Sequence, residues 1–201
     1  LQKVPGIGKR AEYCPSSWGG KDWPPAAYNP KTRLLYIPAN ENLCGALTGR
    51  KATYRPGQLY MGIALPDDFE LLPHPDAKDH IGELQAWDLN AGKKIWTSTF
   101  KSHNWGPVLT TGGGLVFMGG TNDRYFRAFD AKTGKVLWKQ RTNSGVTGVP
   151  TTYQVDGVQY VAVLSGWGVD AERKQAMLNS FHGTNTYVPQ GGVLWVFAVR
   201  E

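Results

Sequence analysis

Two cysteines, four histidines and eight tryptophans hold most of the reactive and ligand-binding potential of this 201-residue chain. Cys14 and Cys44 fall outside any CxxC pattern. Zinc held by two such thiolates would need histidine partners, and His74, His80, His103 and His182 show no ligand spacing to them. A structural disulfide is the favoured reading and implies an oxidising compartment, with two free buried thiols as the alternative.

Composition narrows the class of function. A hydrophobic content of 41% with 19% charged residues suits one soluble domain with a sizeable core. Lys and Arg exceed Asp and Glu by 22 to 16, a formal charge of +6, yet the basic residues never form a run. That reads as a solvated surface, not a nucleic-acid patch, and it suits an acidic protein partner or an anionic cofactor. No apolar stretch reaches the roughly 18 residues needed to span a membrane. Leu1 to Arg10 lacks the apolar segment of a signal peptide. The chain opens without Met and runs straight into patterned sequence, so Leu1 is expected to lie within a longer protein.

The elements that must position these side chains announce themselves as a repeat. Ala86-Trp87-Asp88-Leu89-Asn90-Ala91-Gly92-Lys93-Lys94-Ile95-Trp96 returns 42 residues later as Ala128-Phe129-Asp130-Ala131-Lys132-Thr133-Gly134-Lys135-Val136-Leu137-Trp138, an AxDxxxGKxxW pattern. Each copy predicts a β-hairpin. The Asp hydrogen-bonds turn amides, the Gly supplies a positive φ, and the Trp docks between neighbouring sheets. These roles are structural, so none of the three is a candidate for catalysis. Further hairpins are predicted at Ala27 to Tyr36, Leu109 to Phe117 and Thr152 to Tyr160.

Four strands per period of about 42 residues predict an all-β fold, a β-propeller, with three to four four-stranded blades in this chain. A propeller closes with about 4 to 8 blades, so residues 1–201 are expected to form a segment of one larger domain and not a closed domain. The last strand, Gly191 to Val199, reads as buried on both faces. Thr48 to His80 and Asp170 to Pro189 break the pattern and are expected to be loops, where function often resides.

The ordered set Cys14-Pro15-Ser16, Gly19-Gly20-Lys21-Asp22-Trp23-Pro24-Pro25-Ala26, Tyr36-Ile37-Pro38-Ala39-Asn40-Glu41, Trp105-Gly106, Ser165-Gly166-Trp167-Gly168 and Gln190-Gly191-Gly192 resembles the C-terminal third of quinoprotein methanol and ethanol dehydrogenases. The resemblance covers nearly the whole chain. It implies an eight-bladed propeller that binds pyrroloquinoline quinone (PQQ), with the AxDxxxGKxxW copies as its tryptophan-docking motifs. By the same resemblance Asn40 is a cofactor hydrogen-bond partner, Trp105 lies at the cofactor edge, and Gly166 with Trp167 line the entrance above it. Cys14 and Cys44 match a structural disulfide of that family. One extra residue between Asn40 and Cys44 makes Asn42 a rival to Asn40. Lys21, Asp22 and Trp23 fall at the expected cofactor face, near substrate or in a salt-bridged loop.

These residue types suit a planar, polyanionic orthoquinone: amide and indole N–H groups donate directional hydrogen bonds, and Trp rings exclude water. Taken without the resemblance, Trp105 and Trp167 read as blade packing. The family's Ca²⁺ or lanthanide ligands and its proposed aspartate base have no match here and are expected upstream, which would leave the isolated segment inactive. The implied activity is oxidation of a small primary alcohol in the periplasm, with electrons passed to a cytochrome c. The alternative is a non-catalytic PQQ-like propeller scaffold of the outer-membrane assembly type.

Overall fold

The computed structural model describes residues 4–65, 67–77 and 79–199. The remaining positions of the expected 1–201 segment, Pro66 and Lys78 of the first irregular stretch among them, lie outside the described residues. Fourteen strands and one helix follow in order: β1 (Arg10–Tyr13), β2 (Ala27–Asn29), β3 (Leu34–Ala39), β4 (Leu43–Thr48), β5 (Phe69–Pro73), β6 (Gly82–Asp88), β7 (Lys93–Phe100), β8 (Val108–Thr110), β9 (Leu115–Met118), β10 (Tyr125–Asp130), β11 (Val136–Arg141), β12 (Thr151–Val155), β13 (Val158–Ser165), α1 (Gly168–His182) and β14 (Val193–Val199).

All pairing is antiparallel within four sheets, ordered β2-β3-β6-β7, β8-β9-β10-β11, β12-β13-β14 and β1-β4-β5. The first three stack as successive blades. Leu34, Tyr36, Leu84 and Ala86 of the first sheet meet Val116, Met118 and Phe129 of the second. Alternation along β9 then turns Phe117 to the opposite face, where it joins Phe126, Val161 and Val163 under the third sheet. The chain is therefore a partial β-propeller.

The repeat behaves as its residues dictate. The Asp88 carboxylate accepts the N–H groups of Asn90 and Ala91, and Asp130 those of Lys132 and Thr133. Gly92 and Gly134 take φ of 61° and 71°. Both hairpins carry a register shift at the same place, Ala86/Trp87 and Ala128/Phe129. Trp96 crosses to the next blade, where its indole donates to the Ala131 carbonyl at 3.1 Å beside the Tyr36 hydroxyl at 3.0 Å.

Three expectations need correction. Three blades stack as expected, but only two of them have four strands and the third has three. β4 and β5 are instead an insertion between β3 and β6 that pairs with β1. β14 is not buried on both faces: Trp195 and Phe197 turn inward, while Leu194 is 61% exposed because, among the described residues, no sheet covers the other face. The stretch from Asp170 is mostly helical, not a loop. α1 buries only Ala171, Gln175 and Leu178, a stripe too thin to give a helical signal in the sequence.

Cys14 and Cys44 are bridged, with Cα atoms 4.4 Å apart, one pair beyond the Tyr13–Gly45 rung that joins β1 to β4. A loop of this size stabilises by about 3–4 kcal/mol on the chain-entropy account. Among the described residues no helix is long and apolar enough to cross a membrane.

Candidate functional site

The loop between β7 and β8 is clamped from two sides. Asn40, just past the end of β3, accepts the Asn104 N–H at 2.7 Å and donates to the Asn104 carbonyl at 3.0 Å. Asn104 in turn donates to the Glu83 carbonyl on β6 at 2.8 Å. A Cβ at Gly82 would lie 2.6 Å from the Ser102 carbonyl, so only glycine lets β6 approach this loop. The result fixes His103 and Trp105, the neighbours of Asn104, against one another with ring centroids 5.9 Å apart.

Trp167 enters the same cluster from the end of β13. The Gly166 N–H donates to the Gly145 carbonyl at 2.7 Å, and Gly145 leaves room for the Trp167 ring, which a Cβ there would meet at 1.9 Å. Gly166 itself lies under the Gly191 carbonyl, 2.8 Å from where its Cβ would stand. α1 begins immediately afterwards and closes the cluster: Ala171 packs on Trp105 and Trp167, and Lys174 lies over the Trp18 and Trp105 rings at 5.3 and 5.5 Å. The Asp170 carboxylate accepts the Trp105 indole N–H at 2.8 Å.

At the centre sits His103, wholly buried among Trp18, Trp105 and Trp167 at centroid distances of 5.8, 5.9 and 5.3 Å. Burial first, and then the Lys174 charge, push its pKa down to about 3, against a weaker pull from Asp170. The ring is therefore neutral at any ordinary pH. The Ala171 backbone lies near it, yet neither ring nitrogen has a partner in hydrogen-bonding geometry. The Trp167 indole N–H is equally unpaired. Apart from the Tyr13 hydroxyl, these are the buried side-chain polar atoms without partners among the described residues. Unpaired buried polar atoms cost about 1–3 kcal/mol each, so two residues of them in one cluster single it out as the candidate site.

Asn40, Trp105, Gly166 and Trp167, far apart in sequence, are thus brought together. Trp105 commits its N–H to Asp170 and presents its ring, and Asn40 anchors the loop with one amide N–H and its oxygen on the Asn104 backbone, which leaves its second N–H over. Trp167 is the member with a free donor. Both Trp rings are 1% exposed and lie under α1, not at an open mouth. Asn42 belongs elsewhere: it donates to Glu83 at 2.6 Å in a cluster with Gln85, His80 and Lys94. Burial pushes the Glu83 carboxyl up, but the hydrogen bonds from Gln85, Asn42 and His80 outweigh it and hold the group below its usual range. Of Lys21, Asp22 and Trp23, only Trp23 joins the cluster, half exposed and edge-on to Trp105 at 6.3 Å.

Sequence reasoning missed His103, Asn104, Asp170 and Lys174. The adjacency of His103 and Asn104 to Trp105 was the available signal; Asp170 and Lys174 sit in a helix that pattern did not reveal. The dismissal of histidine partners for the cysteines was also incomplete. His74 lies within 4.8 Å of both sulfurs, a contact that spacing could not show, although both are consumed in the disulfide.

Residues 77–161 match the family model described as PQQ: glucose/ethanol/alcohol dehydrogenase, beta-propeller domain. The chain is 39% identical over 200 residues to a quinoprotein ethanol dehydrogenase of Pseudomonas putida, covering 96% of this chain and 29% of that protein. It is 36% identical to a lanthanide-dependent methanol dehydrogenase of Methylorubrum extorquens over 92% of this chain and 32% of that one. Its fold superposes on a europium-containing methanol dehydrogenase with a TM-score of 0.81 at 36% identity, covering 98% of this chain and 36% of the other. The chain spans under a third of the length of these curated relatives, and within that span it belongs to the quinoprotein, PQQ-dependent alcohol dehydrogenase family.

Proposed function

We propose that the protein carrying this chain is a PQQ-dependent alcohol dehydrogenase, oxidising a small primary alcohol to an aldehyde in the periplasm and passing electrons to a cytochrome c. The chain is read as one segment of a larger propeller that supplies one wall of the cofactor site. The observation that carries this reading is the cluster of Trp105, Trp167 and neutral His103, with its unpaired polar atoms, in a chain of this family.

These residues fit the cofactor. A planar group rimmed with acceptor oxygens would offer the orphaned Trp167 N–H a partner, and a neutral His103 could donate or accept beside it without adding charge. Gly166, without a side chain, lets the Gly191 carbonyl pack beside it and so sets the placement of Trp167. Asn40 acts one step back, holding Asn104 and so the placement of His103 and Trp105. The Trp rings and α1 exclude water, which strengthens each of these hydrogen bonds. When bound, PQQ supplies a two-electron acceptor for the alcohol's hydride, with Ca²⁺ or a lanthanide as Lewis acid. No residue of this chain is assigned to that metal.

Relatives at 36–39% identity are dehydrogenases, which favours this reading over a non-catalytic scaffold. Reconstitution of the protein with PQQ and Ca²⁺ or a lanthanide is expected to give alcohol-dependent dye reduction. Its absence across short primary alcohols and both metal types would overturn the proposal.

A further inference from the structure

Helix α1 meets the aromatic cluster through a single carboxylate. Asp170 Oδ2 accepts the Trp105 Nε1–H at 2.8 Å and the Trp23 Nε1–H at 3.3 Å. The two rings stand edge to face. Trp105 is buried and Trp23 is 50% exposed, so one anion ties a sealed ring to the ring that meets solvent.

Hydrogen bonds to a charged acceptor are short and directional, and rotating either indole away would leave its N–H unpaired. Lys174, one turn further along α1, covers the Trp105 ring as well, so the helix holds this side chain by edge and by face.

We propose that Asp170 is a positioning residue: it sets the orientation of Trp105 at the cofactor site and couples it to Trp23 at the surface. That Trp105 so oriented contacts a cofactor rests on the function proposed above; that Asp170 holds the two indoles does not. A purely structural role competes with this one. Asp170 lies in the first turn of α1, where a negative charge favours the helix N-terminus.

Asn separates the two roles, because it keeps an acceptor and removes the charge. The protein is labelled with ¹⁵N-tryptophan, and the Trp23 and Trp105 indole resonances are assigned with Trp23→Phe and Trp105→Phe. Asp170→Ala is expected to move those two resonances and to leave those of the other tryptophans in place, whereas Asp170→Asn stays near wild type. PQQ affinity should fall about tenfold in Asp170→Ala and within about threefold in Asp170→Asn. Unmoved indole resonances in Asp170→Ala would refute the inference. So would an Asn variant that behaves like Ala, since helix charge would then be the cause. If wild type fails to bind PQQ while the indole shifts appear as expected, the functional reading falls and the clamp stands.

Discussion

The hairpin repeat and the aromatic cluster treat polar atoms in opposite ways. In the repeat, Asp88 and Asp130 fill their turns and Trp96 reaches a carbonyl. Under α1, the wholly buried His103 ring has no partner, nor does the adjoining Trp167 N–H. Satisfied groups stabilise; unsatisfied ones are retained where another demand outweighs stability. On the proposed reading, the contrast separates scaffold from site within one chain.

The largest effect expected from this contrast is acid lability centred on His103. Its folded-state pKa near 3 lies below the ordinary 6.5, so the unfolded chain binds a proton that the folded one refuses. This contribution leaves stability intact above pH 6.5 and erodes it as pH falls toward 3, by roughly 4 kcal/mol in all. Urea unfolding across that range should show a shallower acid loss in His103→Phe than in wild type. Equal slopes would remove His103 from the account, and comparing slopes cancels any packing cost of the larger ring.

A matched pair probes the repeat. Gly134→Ala adds a Cβ 2.5 Å from the docked Trp96 ring in a positive-φ turn, and should cost about 3 kcal/mol. Gly92→Ala, at the same motif position with nothing within 4 Å, should cost about 1 kcal/mol. Similar urea midpoints for the two variants would mean that docking adds nothing.

The tryptophans themselves give the next smaller difference. Trp96→Phe loses the bond to Ala131 and should cost about 1–2 kcal/mol. Trp138 leans on Phe197, is 38% exposed and has no hydrogen-bond partner among the described residues, so Trp138→Phe should cost at most about 0.5 kcal/mol. Smallest is Thr133→Ala, which removes a hydroxyl bond to Asp130 that Ala91 in the other copy never makes, worth about 0.5 kcal/mol in thermal unfolding.

The repeat was legible because AxDxxxGKxxW encodes local geometry: the Asp and Gly roles are settled within four residues of one another. The insertion was not, since β3 pairs with β6 across β4 and β5 and nothing local to Leu34–Ala39 names that partner. α1 escaped for want of an apolar stripe. Asn40, Trp105, Gly166 and Trp167 rested on family resemblance, and nothing in the residues themselves foretells their contacts. That Trp105 would give its N–H to Asp170, and Asn40 its amide to Asn104, depends on a helix and a loop meeting in space.

The central claim is that Trp167 and its neighbours form a wall of a PQQ site. The direct measurement is a crystal structure of the protein reconstituted with PQQ. Density is expected for a planar quinone beside Trp105, with an oxygen accepting the Trp167 indole N–H. A quinone bound away from this cluster, or a Trp167 N–H paired to protein, would contradict it.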